Sequence, residues 1–298
     1  GGAPGPEVAE VAELLAAVEQ APGARELLKV MRVWDVRSPE LQVAWKLAKQ
    51  KLGERARNDF PRPRWLDSPR EADGESAVVQ HREREEVLGQ LLSCARREPE
   101  GVWSARVWHG ADGKAVKSVC QTGLAGNVQK TKGWFGEGVY TSTSATYALR
   151  YALGMKDFWD SPGASGYLVA CRAAFCQVYP VTQADNAEGP LAPGLKGKPV
   201  GGRAAADSQA QGCDAHFVCV RSVPLYGDEK RRTYHACMPG ERPDATELVV
   251  SQENQYLPEY VLEVFVGRDE RRLRRARLAA EHWGRAPPES PVRGWSYT

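Results

Sequence analysis

No stretch of this 298-residue sequence is apolar for long enough to span a bilayer, and its start lacks the basic-then-apolar layout of a secretory leader. Neither charge dominates. The 40 basic residues stand against 38 acidic ones, which removes any chain-wide attraction to nucleic acid or to a membrane surface. Cysteine occurs seven times without a single C-x-x-C pair, an odd number that does not make a disulfide framework. A chain of this length buries an ample core without covalent staples, so a reducing, intracellular compartment (cytoplasm or nucleus) is expected. Absent too are a phosphate-cradling P-loop, a dinucleotide fingerprint after a strand, a helical zinc-protease motif and internal repeats.

What is present is the composition of a soluble globular protein, 42% hydrophobic and 26% charged. Val8, Val11, Leu14, Leu15 and Val18 recur at helical spacing, which predicts an amphipathic helix over 6–20 ended by Pro22-Gly23. Ser38-Pro39-Glu40 reads as a helix start, with a capping residue, proline in the first turn and an acid at the positive dipole end. Residues 58–76 are rich in Pro, Arg, Asp, Gly and Ser and read as a surface loop, and Glu83 to Cys94 as a charged helix.

From Val102 the texture changes. Short β-rich runs (102–108, 139–142, 167–179, 216–220, 247–251 and 261–266) alternate with two short helices near 114–121 and 144–153, the pattern of an α+β domain on antiparallel sheet. Residues 183–212 read as a long surface excursion. After Gly267 comes a helix carrying Arg268, Arg271, Arg272, Arg274, Arg275 and Arg277 and running to Trp283. The division that follows is N-terminal helices and a surface loop over 1–100, a catalytic domain over 101–267, and a basic helix and tail over 268–298. The basic helix reads first as a solvated face partly balanced by Asp269, Glu270 and Glu281; the alternative is nucleic-acid contact through 268–277.

Cys213, His216 and Cys219, with His235 and Cys237 downstream, are zinc-capable residue types. Their spacing is not that of paired structural ligands, and 216–220 reads better as a half-buried strand with small apolar thiols; no metal is expected.

Four islands carry the chemistry: Trp108-His109-Gly110, Gly136-Glu137-Gly138-Val139-Tyr140, Glu247-Leu248-Val249-Val250 and Gln255-Tyr256-Leu257-Pro258-Glu259-Tyr260. His109 closes a strand, where it can donate to ribose hydroxyls, and Gly110 can offer one N–H and one C=O to a carboxamide. Tyr140 and Tyr151 can sandwich a planar ring. The glycine-rich Gly133-Trp134-Phe135-Gly136 run lets backbone approach a flat ligand, or is a plain hairpin. Glu247 opens a strand; facing a cleft, it can accept a bond from a ribose 2′-OH and offset positive charge developing on the sugar.

The order and spacing of these islands resemble the PARP-type (diphtheria-toxin-like, His-Tyr-Glu) ADP-ribosyltransferase catalytic domain. That family shows His-Gly on one strand, Gly-x-Gly-[Ile/Val/Ser]-Tyr after a glycine-containing loop, and Glu opening a strand that reaches Gln-x-x-x-x-Tyr. Here Glu247 stands eight residues before Gln255 and thirteen before Tyr260. Asp214-Ala215 resembles the family's Asp-Ser-Val segment, and the run from Arg32 to Leu41 looks like the entry helix of the smaller, mono-ADP-ribosylating members.

The resemblance implies a split antiparallel sheet with N-terminal helices, NAD as substrate, and transfer of ADP-ribose to a protein or nucleic-acid acceptor. It further implies that His109 holds the adenosine-side ribose, that Gly110 reads the nicotinamide amide, and that Tyr140 and Tyr151 stack the nicotinamide. Glu247 would polarise the nicotinamide ribose, and the loop from Gly123 to Gly136, with Gly133 and Phe135, would lie over the donor. One departure is Ala148, where the family usually has a serine bonding the amide. A lost neutral hydrogen bond is worth about 0.5–1.5 kcal/mol, a several-fold weaker affinity. A non-catalytic NAD- or ADP-ribose-binding module and an NAD glycohydrolase are the alternatives.

Overall fold

The computed structural model describes residues 6–20, 23–57, 67–69, 74–124, 131–133, 135–186, 213–225, 228–250 and 252–283. The expected excursion over 183–212 and loop over 58–76 therefore lie mostly outside the described residues. No described helix is long and apolar enough to cross a membrane.

Two antiparallel sheets face each other. The first has the order β1-β11-β6-β3-β2, built from β1 (Leu28–Asp35), β2 (Ala95–Arg97), β3 (Trp103–Ala111), β6 (Ser165–Phe175) and β11 (Tyr256–Val266). The second has the order β4-β5-β10-β8-β7, from β4 (Thr131–Gly133), β5 (Gly136–Thr141), β7 (Val178–Val181), β8 (Ala215–Leu225) and β10 (Ala245–Val250). In it, β7 runs parallel to the start of β8, and β9 (Asp228–Ala236) pairs with the remainder of β8. The helices are α1 (Pro6–Glu19), α2 (Ala24–Leu27), α3 (Pro39–Arg57), α4 (Gly74–Ser93), α5 (Gly113–Thr122), α6 (Ala145–Ala152) and α7 (Glu270–Trp283).

Strand periodicity explains the two large cores. Successive strand residues point to opposite faces. Val107, Val169, Cys171 and Val261 thus turn one way, to meet Phe217, Leu248 and Val250 of the second sheet. Trp108, Leu168, Ala170 and Leu262 turn the other way, beneath Leu14 and Val18 of α1, Leu149 of α6 and Leu273 of α7. Fully burying each large apolar side chain is worth roughly 1.5–3 kcal/mol.

The helix start at Ser38-Pro39-Glu40 stands where expected: Ser38 Oγ accepts from the Leu41 amide at 3.3 Å, and α3 begins at Pro39. The supposed entry helix over 32–41 is corrected, since 32–35 belong to β1, which pairs along β11 from Leu28↔Val266 to Asp35↔Tyr260. Val30 and Val33 serve as its inward-leaning residues, and only the tail of the motif is helical. The segment before residue 100 therefore supplies both edge strands of the first sheet as well as helices. Three further boundaries move. α4 begins at Gly74, the 167–179 run is two strands, and β9 was not anticipated because Asp228-Glu229-Lys230-Arg231-Arg232-Thr233 carries no apolar alternation.

Candidate active site at the split between the sheets

The two sheets touch edge to edge at one rung. The Trp108 N–H donates to Ser142 O at 2.7 Å, and the Ser142 N–H returns a bond to Trp108 O at 2.9 Å. Past that rung β3 and β5 part. Backbone polar groups of alternate strand residues point to the same edge. Gly110, two residues beyond Trp108, therefore turns its N–H and C=O toward the parted edge, and no described residue bonds them. A donor and an acceptor side by side are left on the lip of the split.

His109 is half-buried at the same place, inside β3 rather than at its end, because the strand continues to Ala111 before Asp112 caps α5. Its Nδ1 lies 3.0 Å from the carbonyl oxygen of Tyr140. A carbonyl only accepts, so Nδ1 carries a proton. Burial holds the imidazole pKa below its ordinary value, against the opposing effect of that carbonyl. The neutral ring then presents Nε2 as an acceptor, which corrects the expected donor role toward a ribose hydroxyl.

Tyr140 enters through the β5–β10 register. It pairs with Val249, so it shares a face with Glu247, two residues away. The Tyr140 hydroxyl accepts from the Phe135 amide at 3.0 Å, while the Phe135 carbonyl accepts from His216 Nδ1 at 2.9 Å. Phe135 is thus fixed by its backbone, with its ring only 1% exposed in the core between the sheets. Any part Phe135 plays in holding a ligand falls to its main chain, in keeping with the backbone approach expected of this run. Gly133 pairs with Gly136 in the β4–β5 hairpin, and 125–130 and Trp134 lie outside the described residues.

Glu247 does not open its strand. It is the third residue of β10, opposite Val218 of β8, and 5% exposed. Two hydroxyls converge on its Oε1: Tyr147 in a short bond and Tyr151 at 3.0 Å. Desolvation raises its pKa above the usual carboxylate value, opposed by those two bonds and by the Arg150 charge. Tyr147 and Tyr151 stand one helical turn apart on α6, so they share a face. That helix is set in place by Ser144, whose Oγ accepts from the Tyr147 amide at 3.3 Å, and by Thr143, bonded to Thr246 beside Glu247.

Tyr147, Tyr234 and Arg150 were missed by sequence reasoning. The first was legible as the i−4 neighbour of Tyr151. Tyr234 reaches the site only because β9 folds along β8, which no local pattern announces. Its ring meets that of Tyr147 edge to face with centroids 4.9 Å apart, and the Arg150 guanidinium lies over it, 4.6 Å from the centroid.

Helix α6 also presses on β3. A Cβ at Gly110 would fall 1.9 Å from the Ala148 carbonyl oxygen, and one at Gly138 would fall 2.7 Å from the Val250 carbonyl oxygen. Ala148 itself is 3% exposed, packed in the core with Trp108 and Leu149. The two histidines among the zinc-capable residues have other partners: His216 bonds Phe135, and His235 Nε2 lies 3.9 Å from Glu241. Among the described residues no three such groups could hold a metal.

This arrangement has relatives. Residues 7–266 match the family described as "Poly(ADP-ribose) polymerase catalytic domain". No curated protein matches. Among solved structures, "Crystal structure of the TASOR pseudo-PARP domain" is similar at 14% identity with a TM-score of 0.42, over 89% of this chain and 96% of that one. The family match runs from α1 to the end of β11 and so takes in both sheets and the split between them. The chain belongs to the poly(ADP-ribose) polymerase catalytic-domain family.

Proposed function

We propose that this protein transfers ADP-ribose from NAD to a nucleophile on a macromolecular acceptor and releases nicotinamide. The observation that carries the reading is the pair of unbonded Gly110 backbone groups at the lip of a split in which Glu247 and Tyr140 share a face. One donor beside one acceptor is the complement of a carboxamide edge. Tyr151 is 41% exposed and Tyr140 half-buried, so their rings are the ones available to flank a flat heterocycle. His109 Nε2 is an acceptor for a ribose hydroxyl, and Gly110 offers the amide contact that Ala148, without a hydroxyl, cannot reinforce.

NAD supplies a leaving group that departs neutral, so the protein has little acid catalysis to perform. Its task is to stabilise positive charge developing on the ribose. Glu247 does this by accepting from the 2′-OH, and in a buried site the carboxylate acts with little screening. Incubation with NAD labelled in the adenylate moiety tests the reading: label on a macromolecule supports it. Free ADP-ribose alone points to a glycohydrolase. Binding without turnover points to a non-catalytic module, the reading favoured by the two hydroxyls already bonded to Glu247.

A further inference from the structure

The two hydroxyls on Glu247 Oε1 are not equivalent. Tyr147, on α6, is 6% exposed, with the Tyr234 ring packed against it at 4.9 Å between centroids. Tyr234 is held in turn by Arg150, whose Nε lies 3.1 Å from Asp157 Oδ1 and whose Nη2 donates to the Met155 carbonyl at 3.3 Å. A run of contacts thus leads from Asp157 through Arg150, Tyr234 and Tyr147 to the carboxylate. Tyr151 is 41% exposed; besides its bond to Glu247 it meets Tyr147 edge-on, ring centroids 5.7 Å apart, with the two hydroxyls 3.3 Å from each other. Its hydroxyl can thus turn from the carboxylate to solvent while its ring stays at the site.

A ribose 2′-OH that is to bond this carboxylate must either use its other oxygen or displace one hydroxyl. Displacing Tyr147 would leave a buried phenol with only the Tyr151 hydroxyl, 3.3 Å away, in place of a carboxylate, a poorer partner that water cannot make good. Displacing Tyr151 leaves its hydroxyl to water.

We propose that Tyr147 is the positioning residue for Glu247, holding Oε1 throughout turnover, and that Tyr151 is the hydroxyl that yields when the donor ribose arrives. This rests on Glu247 being the carboxylate that faces the ribose. Tyr147 touches no substrate atom in this scheme; it acts through Glu247. The charged and titratable groups around that carboxylate are Tyr147, Tyr151 and Arg150 from α6 and Tyr140 from β5. Tyr234 of β9 acts at one remove.

The test uses the full chain with its glutamate side-chain carboxyls labelled with carbon-13, the Glu247 signal being identified by its loss in Glu247→Gln. Tyr147→Phe keeps the ring against Tyr234 and removes only the donor. The Glu247 titration midpoint should then move up by about one to two pH units, the equivalent of one charge-assisted bond, and Tyr151→Phe should move it less. In turnover, Tyr147→Phe should lower kcat by about ten-fold or more with the NAD KM within about two-fold. Tyr234→Leu should reproduce part of both effects and Tyr234→Phe should not.

An unmoved midpoint in a Tyr147→Phe protein with a wild-type thermal melt would overturn the proposal. So would an equal shift from Tyr151→Phe. Because the carboxyl titration needs no turnover, a wild-type protein that fails to transfer ADP-ribose would sink the proposed activity and leave this assignment to its own result.

Discussion

His109 Nδ1 donates to the carbonyl of Tyr140 over 3.0 Å, joining the two sheets just where they begin to part. The bond fixes the tautomer of the histidine and the position of the tyrosine together. Two of the three signature side chains are therefore placed by a single contact, and the third, Glu247, follows from the register of β10 on β5.

Glu247→Gln should separate binding from chemistry. Amide and carboxylate are nearly the same size, so NAD affinity should stay within a few-fold. Transfer should fall about ten- to a hundred-fold, since the lost charge acts on the transition state. Because burial raises the Glu247 pKa in the free protein, the acid limb of wild-type kcat/KM against pH should lie above the ordinary glutamate value of 4.5, with activity appearing as pH rises through it. Stopped assays from pH 4 to 8 on both proteins check this; an acid limb surviving in Glu247→Gln would assign it to another group.

Gly110→Ala should be hard to accommodate whether or not NAD is bound. The new methyl meets a helix carbonyl at 1.9 Å, and backbone cannot step aside as a flexible side chain would. A loss of at least about 1–3 kcal/mol in urea unfolding is expected, the usual cost of overpacking a core. Gly89→Ala, with nothing within 4 Å, is the control and should be neutral or mildly stabilising.

Asp214 should make stability depend on pH in a definite direction. Its carboxylate accepts from the Cys176 amide at 3.0 Å and the Gln177 amide at 2.9 Å, yet burial pushes its pKa up to about 6 from 3.8. The folded state thus holds its proton more tightly than the unfolded one. The stability this provides is complete below about pH 4 and is lost as pH rises through about 6, on the order of 2–3 kcal/mol in all. Melts of wild type and Asp214→Asn at pH 4.5 and 7 should show the difference between them shifting in favour of Asn at the higher pH.

The basic helix α7 divides into a docked side and an outward side. Leu273 is 6% exposed in the core, so Leu273→Ala should cost about 2–4 kcal/mol. Arg271, Arg274 and Arg275 are exposed, and changing all three to Gln should move stability by no more than about 0.5 kcal/mol each. The same triple variant tests nucleic-acid contact. Fluorescence anisotropy at two salt concentrations should show weaker binding at the higher salt, and a loss in the variant, if phosphates are held there.

How much of this was legible in the sequence depends on range. Ser38-Pro39, the 145–152 helix and the strands carrying His109, Tyr140 and Glu247 are local patterns, and each formed close to its expected bounds. What failed was long-range or unpatterned. Asp228 to Thr233 carries no apolar alternation that says strand, and so Tyr234 stayed invisible. Val30 to Trp34 reads as readily toward a helix as a strand until β11 is there to pair with it. The donor role assigned to His109 failed for a subtler reason. A tautomer is set by the partner of the other ring nitrogen, and that partner lies on another strand.

Gly110 and Gly138 are signature glycines, and both are also demanded by neighbouring carbonyls, of Ala148 and Val250, that leave no room for a methyl group. A descendant that lost its substrate would still be held to them by the architecture alone. Persistence of Gly110 and Gly138 in a lineage therefore records survival of the sandwich, not of turnover. The trace of a working enzyme should be sought at positions that the fold leaves free to drift, of which the exposed Tyr151 is the nearest to Glu247.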